Sequence, residues 1–81
     1  MSANANCITY ESVVSDSSGH YYVFKVKNSC STSITVYYQL QQSDGKWIDW
    51  NVTVPANSEV KAVAGAKSDS SGRVRNVRTT Y

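Results

Sequence analysis

The stretch from Ser31 to Val54 constrains the fold more than any other part of the sequence. It reads STSITVYYQLQQSDGKWIDWNVTV, with apolar and polar residues alternating on both sides of a Ser-Asp-Gly turn. Alternation with a period of two is the pattern of a half-buried β-strand. A three-residue loop that ends in Gly is typical of a hairpin with a type I turn and a G1 bulge. The sequence therefore predicts a β-hairpin with Gly45 in the left-handed conformation.

The register of this hairpin decides which aromatic rings face the core. With a three-residue loop, every pair on one face is apolar: Leu40/Ile48, Tyr38/Trp50, Val36/Val52 and Ile34/Val54. The other face carries Gln41/Trp47, Gln39/Asp49, Tyr37/Asn51 and Thr35/Thr53. A slip of one residue would mix the two faces. We therefore expect Tyr38 and Trp50 in the core, and Tyr37 and Trp47 outside.

Turn signals extend the β prediction to the whole chain. Clusters of Ser, Asp, Asn and Gly separate six strand-like segments, at residues 8–14, 20–27, 33–42, 46–54, 59–64 and 73–80. No segment is long enough for a helical crossover, so neighbouring strands should pair antiparallel. Apolar rows at 8, 10 and 14, at 22, 24 and 26, and at 60, 62 and 64 supply a second layer.

The last predicted strand departs from the alternation. Val74 and Val77 are three residues apart and thus out of strand phase, which predicts a bulge near Arg75 and Asn76. The whole pattern predicts a single all-β domain over residues 1–81, built as two packed antiparallel sheets, with residues 1–6 as a flexible N-terminus.

Two cysteines bracket the first predicted hairpin. A bridge between Cys7 and Cys30 would close a loop of about 24 residues and stabilise the fold by roughly 3 kcal/mol. In a domain of 81 residues, such a bridge favours an oxidising compartment, hence a secreted or periplasmic protein. The alternative is a pair of buried thiols in a cytosolic protein. The N-terminal MSANAN is typical of an initiator Met on a mature chain whose export segment has been cleaved or left out.

Three stretches resemble the tendamistat family of secreted microbial α-amylase inhibitors: CITY at 7–10, NSCSTSITV at 28–36 and VTVPANSEVKAVAG at 52–65. The resemblance spans about two thirds of the chain. The resemblance implies a six-stranded Greek-key β-sandwich, with strands one, two and five in one sheet and three, four and six in the other. It also implies a disulfide between Cys7 and Cys30. The family's second disulfide and its inhibitory Trp-Arg-Tyr triplet have no counterpart here, so amylase inhibition is not implied.

The sequence carries no signature of catalysis. His20 is the sole histidine and stands beside Gly19, where an exposed turn residue is expected. Two Cys and one His do not make a zinc site, and the acids are spread over turns and strand faces. We therefore expect a protein that is not an enzyme and needs no metal or cofactor. The net charge of +2 without a dense basic stripe argues against nucleic acid as a partner, and no apolar run approaches the ~20 residues of a membrane span.

Three hypotheses for function remain. The first is a secreted, inhibitor-like module that binds an extracellular protein, through the hairpin at 15–22 or through the outer face of the second predicted sheet. The second is a carbohydrate-binding module in which that outer face stacks on a glycan. The third is a structural or adhesive surface domain, because paired outward aromatic rings stabilise a sheet without any ligand. The oligomeric state stays open.

We expect binding on the outer face rather than on the loop at 15–19. In the implied strand order the third strand is central, so its outward residues form the middle row, with the fourth and sixth strands on either side. The candidate binding residues are Tyr37, Gln39, Gln41, Trp47, Asp49, Asn51, Arg73 and Arg75. Aromatic and Arg side chains are the types enriched where binding energy concentrates.

Overall fold

The computed structural model describes residues 6–80, and this part of the chain contains seven β-strands. They are β1 (Ile8–Tyr10), β2 (Val14–Ser15), β3 (Tyr21–Asn28), β4 (Ile34–Gln42), β5 (Trp47–Val54), β6 (Ser58–Ala66) and β7 (Ser70–Arg78). All of their pairings are antiparallel. The all-β prediction is confirmed. The flexible segment expected at 1–6 falls, apart from Asn6, outside the described residues.

The strands form two sheets whose apolar faces pack together. In the first sheet β3 pairs with β6 over its whole length, and β1 and β2 share the opposite edge of β3. In the second sheet β4 lies between β5 and β7. Buried residues of both sheets form one cluster, so the core is the layer between them.

The first predicted strand is interrupted, which is why the structure has seven strands and not the predicted six. Tyr10 lies opposite Val26, but Val14 lies opposite Val23, so residues 11–13 face only two residues of β3. The extra residue is a bulge, and beyond it the inward and outward positions are exchanged. Val13 packs against the core and Val14 is 57% exposed. The prediction that Val14 faces the core is therefore wrong.

The register predicted for the β4–β5 hairpin is confirmed pair by pair, from Gln41 opposite Trp47 to Ile34 opposite Val54. Gly45 has φ +91°, and the Gln42 N–H donates to the carbonyl of Lys46 at 2.8 Å. The bulge predicted in the last strand is also present. Asn76 has φ +56°, and the pairing of β4 with β7 shifts between Tyr37 and Gln39.

Trp50 is not a core residue, although it lies opposite the buried Tyr38. Its side chain is 50% exposed. β5 is an edge strand and pairs only with β4. The strand that faces it across the core is β6, which contributes only Ala62 and Ala64 to the fully buried cluster. These small side chains do not cover the indole, so Trp50 lies at the open side between the two sheets. The prediction that Trp50 is core is wrong for this reason.

Two aromatic rings hold the centre of the core. Phe24 of β3 and Tyr38 of β4 meet edge to face, with ring centroids 4.9 Å apart. The Tyr38 hydroxyl crosses to the first sheet and donates a hydrogen bond to the carbonyl of Val63 at 2.6 Å. The Tyr38 side chain is almost fully buried, so its hydroxyl needs a hydrogen-bond partner within the protein. The bond to Val63 supplies that partner and also links the two sheets in a fixed position.

A buried amide ties the sheets at one end. The Asn28 side chain donates to the carbonyls of Thr32 and Val54 at 2.9 and 3.0 Å and accepts from the N–H of Cys30 at 2.8 Å. A disulfide joins Cys7 to Cys30 at the same end, with the two Cα atoms 5.3 Å apart. The predicted bridge is confirmed.

A buried hydroxyl ties the strands at the other end. Ser70 Oγ lies 2.8 Å from the carbonyl of Ala64 and 3.1 Å from that of Gln41, and it accepts from the N–H of Gly72. Gly65, at φ +116°, allows this approach, since a Cβ there would collide with the Ser70 side chain. One serine thus joins the ends of β4, β6 and β7.

Replacing Tyr38 by Phe tests the link between the sheets. The ring is kept, but the hydroxyl that bonds to Val63 is lost, so we expect the free energy of unfolding at neutral pH to fall by about 1 kcal/mol. Burial raises the pKa of the Tyr38 phenol above its ordinary value of 10.0. The folded state therefore holds this proton where the unfolded chain releases it, and stability declines as the pH rises above about 10.

In Tyr38→Phe this alkaline decline should be shallower than in the native protein. Urea unfolding curves of both proteins at neutral and alkaline pH give the two slopes. Identical slopes would show that Tyr38 does not couple its ionisation to folding.

Candidate functional site

The outer face of the second sheet brings the predicted binding residues together. The β4 register sets Gln41 beside Trp47, Gln39 between Asp49 and Arg75, and Tyr37 beside Asn51. Arg73 is exposed on β7, two residues before Arg75. We call this surface the outer face and define it by the eight predicted residues, Tyr37, Gln39, Gln41, Trp47, Asp49, Asn51, Arg73 and Arg75.

A cation–π pair spans the outer face from one edge strand to the other. The guanidinium carbon of Arg75 on β7 lies 4.1 Å from the centroid of the Trp47 ring on β5. The Arg75 Nε donates to Gln39 Oε1 at 2.8 Å. This hydrogen bond to Gln39 holds the Arg75 guanidinium over the ring, where the guanidinium covers one face of the indole.

Gln39 is the hub of the polar contacts on this face. Its amide nitrogen donates to Asp49 Oδ1 at 3.0 Å, while its oxygen accepts from both Arg75 and Asn76. A carboxylate and a guanidinium are therefore joined through one amide across three strands. Such a network orders its side chains before any partner arrives.

Three further residues adjoin the outer face and bond to one another or to it, although the sequence did not predict them. Asn76 bonds to Gln39 at 2.9 Å, Ser71 donates to Gln41 Oε1 at 2.9 Å, and Arg78 donates to the carbonyl of Asn76 at 2.7 Å. The bulge predicted near residue 76 was a usable signal for Asn76, because a bulge re-aims the side chains around it. Nothing in the sequence pattern indicates Ser71.

The loop at 15–19 is organised around its own acid. The Asp16 carboxylate accepts from Ser18 Oγ at 2.8 Å and from the N–H of Gly19 at 2.9 Å. The Ser18 hydrogen bond is the main cause that lowers the pKa of Asp16 below its ordinary value. The exposed side chains of this loop before His20 are small, those of Ser15, Ser17 and Ser18. The loop offers a partner little surface area.

Two grooves open at the sides of the core. One, of about 410 Å³, lies between the β1–β2 bulge and β7, with Phe24 among its lining residues. The other, of about 210 Å³, lies between β5 and β6 and is lined in part by Ile48, Trp50 and Val63. Among residues 6–80 no three His, Cys, Asp or Glu side chains come together as metal ligands would.

Comparison with known proteins yields no relative. No family model matches the chain, and neither a curated protein nor a solved structure matches it. The site must therefore be interpreted from its own geometry.

A double-mutant cycle on Trp47 and Arg75 tests whether the outer face is held together as described. We expect Trp47→Ala and Arg75→Ala to be coupled by about 0.5–1 kcal/mol in the free energy of unfolding, the range for an exposed cation–π pair. Urea unfolding of the native protein, both single variants and the double variant measures the coupling. Arg73→Ala is the matched control, since Arg73 lies on the same strand and should show no coupling to Trp47. Equal coupling for Arg73 and Arg75 would contradict the assigned pair.

Proposed function

We propose that this chain is a secreted, non-catalytic module that binds an extracellular protein, in the manner of an inhibitor, through the outer face. The observation that carries the proposal is the Trp47–Arg75 pair, held by Gln39 at the middle of the second sheet. Trp, Tyr and Arg dominate the energetic centres of protein interfaces. Side chains that are already ordered lose little entropy on binding, so an arrangement of this kind favours affinity.

The same pair favours a protein over a glycan as the ligand. A sugar ring needs a free aromatic face on which to stack, whereas the Arg75 guanidinium covers one face of Trp47. The amide oxygens of Gln39 and Gln41 are engaged by Arg75 and Ser71 and are less available to sugar hydroxyls. A carbohydrate-binding module that uses this face stays the second candidate. A structural or adhesive surface domain is the third.

Support for a secreted location comes from the disulfide between Cys7 and Cys30. Disulfides persist in oxidising compartments and are rare in the cytosol. Among residues 6–80 no helix is long and apolar enough to cross a bilayer. A secreted inhibitor-like module meets its partner in the medium or the periplasm.

The tendamistat resemblance enters this proposal through the fold alone. We propose a Greek-key β-sandwich in which β1 and β2 count as one interrupted strand. What supports it is the strand membership of the sheets: β1, β2, β3 and β6 in the first, and β4, β5 and β7 in the second. The inhibitory triplet of that family is absent, so the partner is not taken from the resemblance.

Mapping of a partner by NMR tests the proposed function. Proteins retained by the immobilised chain from the medium of its natural environment would be purified and titrated into the ¹⁵N-labelled domain. We expect the shift changes to centre on Tyr37, Gln39 and Trp47. Trp47→Ala and Arg75→Ala should each weaken binding by about 10-fold or more, as for residues that supply over ~1.4 kcal/mol at an interface.

Lys25→Ala is the matched control, because Lys25 is exposed on β3 of the first sheet and should leave affinity unchanged. A glycan array run in parallel tests the second candidate. Sugar binding that is lost in Trp47→Ala would replace the protein-binding proposal. Shift changes confined to residues 15–22 would overturn the choice of surface.

A further inference from the structure

Four strand edges border the two sheets in the described part of the chain, and β5 is the one least protected against pairing with another strand. The edge formed by β1 and β2 is broken by the bulge at 11–13. β7 is irregular at two places and carries three arginines, and β6 carries the exposed Glu59 and Lys61. Breaks, bulges and charges are the means by which proteins block an edge.

β5 has the fewest of these protections. It pairs with β4 without a register shift over eight residues, and Asp49 is its only charged residue. No Pro lies within it, since Pro55 follows its last residue. A long, regular edge with one charge is open to a further strand.

The hydrogen-bond pattern shows which backbone groups β5 leaves unpaired. The Gln42 N–H donates to the carbonyl of Lys46, which makes 42/46 a hydrogen-bonded pair. Such pairs alternate along an antiparallel ladder, so the even residues of β5 bond to β4. The N–H and C=O groups of residues 47, 49, 51 and 53 then point away from the sheet. These are the groups that an added strand would use.

Exposed apolar surface accompanies this free edge. Trp50 is 50% exposed. It lines the groove of about 210 Å³ together with Leu40 and Ile48. A strand added to β5 would cover this groove from its open side.

We propose that β5 pairs antiparallel with β5 of a second copy of this chain, around a two-fold axis at Trp50. The proposal stands independently of the proposed function. In this register Trp50 faces Trp50, and Ile48 of one copy faces Val52 of the other, so the central inner pairs are apolar. The pairing is the same seen from either copy, as a closed dimer requires.

The edge is complementary to a second copy of itself in this register, because its single charge meets a neutral side chain. With the axis at Trp50, Asp49 faces Asn51 of the other copy, and a carboxylate meets an amide. With the axis at Asp49, two carboxylates would oppose each other, which destabilises a strand pair. The register also suits the backbone, because residues 49 and 51 both present their free groups to the edge and can exchange hydrogen bonds.

The dimer joins the two outer sheets into one. Each second sheet contributes three strands, giving the order β7-β4-β5-β5-β4-β7. The Trp47 and Arg75 side chains of both copies then lie on one continuous surface. The groove beneath β5 is closed by the partner's inner row.

Sedimentation velocity and amide hydrogen exchange of the full chain test this pairing. We expect the sedimentation coefficient to rise from monomer to dimer with concentration. Over the same range the amides of Asp49, Asn51 and Thr53 should gain protection, while those of Ile48 and Trp50, already bonded to β4, should not change. This alternation distinguishes strand pairing from association through side chains alone.

Trp50→Lys places two like charges at the axis and removes both rings. We expect it to raise the dimer dissociation constant by about 30-fold or more, the effect of losing a residue that dominates an interface. Tyr21→Lys is the matched control. Tyr21 is 46% exposed, but it lies on β3, which is paired on both sides, so its substitution should leave the dimer intact.

A chain that sediments as a monomer at every concentration up to about 1 mM, the range of weak association, would overturn the proposal. So would a dimer in which the Asp49 and Asn51 amides stay unprotected, or one weakened equally by Trp50→Lys and Tyr21→Lys.

Discussion

The contact between Tyr38 and the first sheet is the interaction on which the rest of the structure depends. The ring meets Phe24 edge to face, and its hydroxyl reaches the Val63 carbonyl, so one side chain supplies both the apolar centre and the polar link between the sheets. Large rings on β3 and β4 are matched by Ala62 and Ala64 on β6. The same small side chains of β6 leave Trp50 uncovered. The burial of Tyr38 at the centre and the exposure of Trp50 at the edge therefore have one cause.

The outer face follows from the same register. Because side chains alternate across a strand, the pairing that turns Tyr38 inward turns Tyr37, Gln39 and Gln41 outward. The Trp47–Arg75 pair then forms because Gln39 stands between β5 and β7 and anchors the guanidinium. Core and candidate site are thus specified by one alternation, and a slip that exposed the core would also dismantle the site.

Much of this could be predicted from the sequence because it is local. The turn at Gly45, the hairpin pairs and the bulge near Asn76 depend on nearby residues or on simple periodicity. The bridge could be predicted because the sequence has just two cysteines, which bracket the first predicted hairpin. The failures are non-local or ambiguous. Val13 and Val14 are equally apolar, so the pattern could not show which one the bulge turns inward. The exposure of Trp50 depends on the small residues of β6, a strand of the other sheet, and the alternation within the hairpin does not show what lies opposite it. Ser71 reaches Gln41 only because the irregular start of β7 carries it there.

The buried Ser70 has a consequence for how this chain tolerates change. The pentapeptide Ser-Asp-Ser-Ser-Gly occurs twice, at 15–19 and 68–72. In the first pentapeptide the Gly19 N–H bonds to the Asp16 carboxylate, and the space around Gly19 is open. In the second, Ser70 lies among three strands and Gly72 lies against the Tyr22 ring. The same pentapeptide therefore differs between its two positions in how far it tolerates a change of length or sequence. We expect the first turn to tolerate a longer loop between Asp16 and Gly19 with little effect on the sheets, whereas the length of the second is fixed by the strands that Ser70 joins.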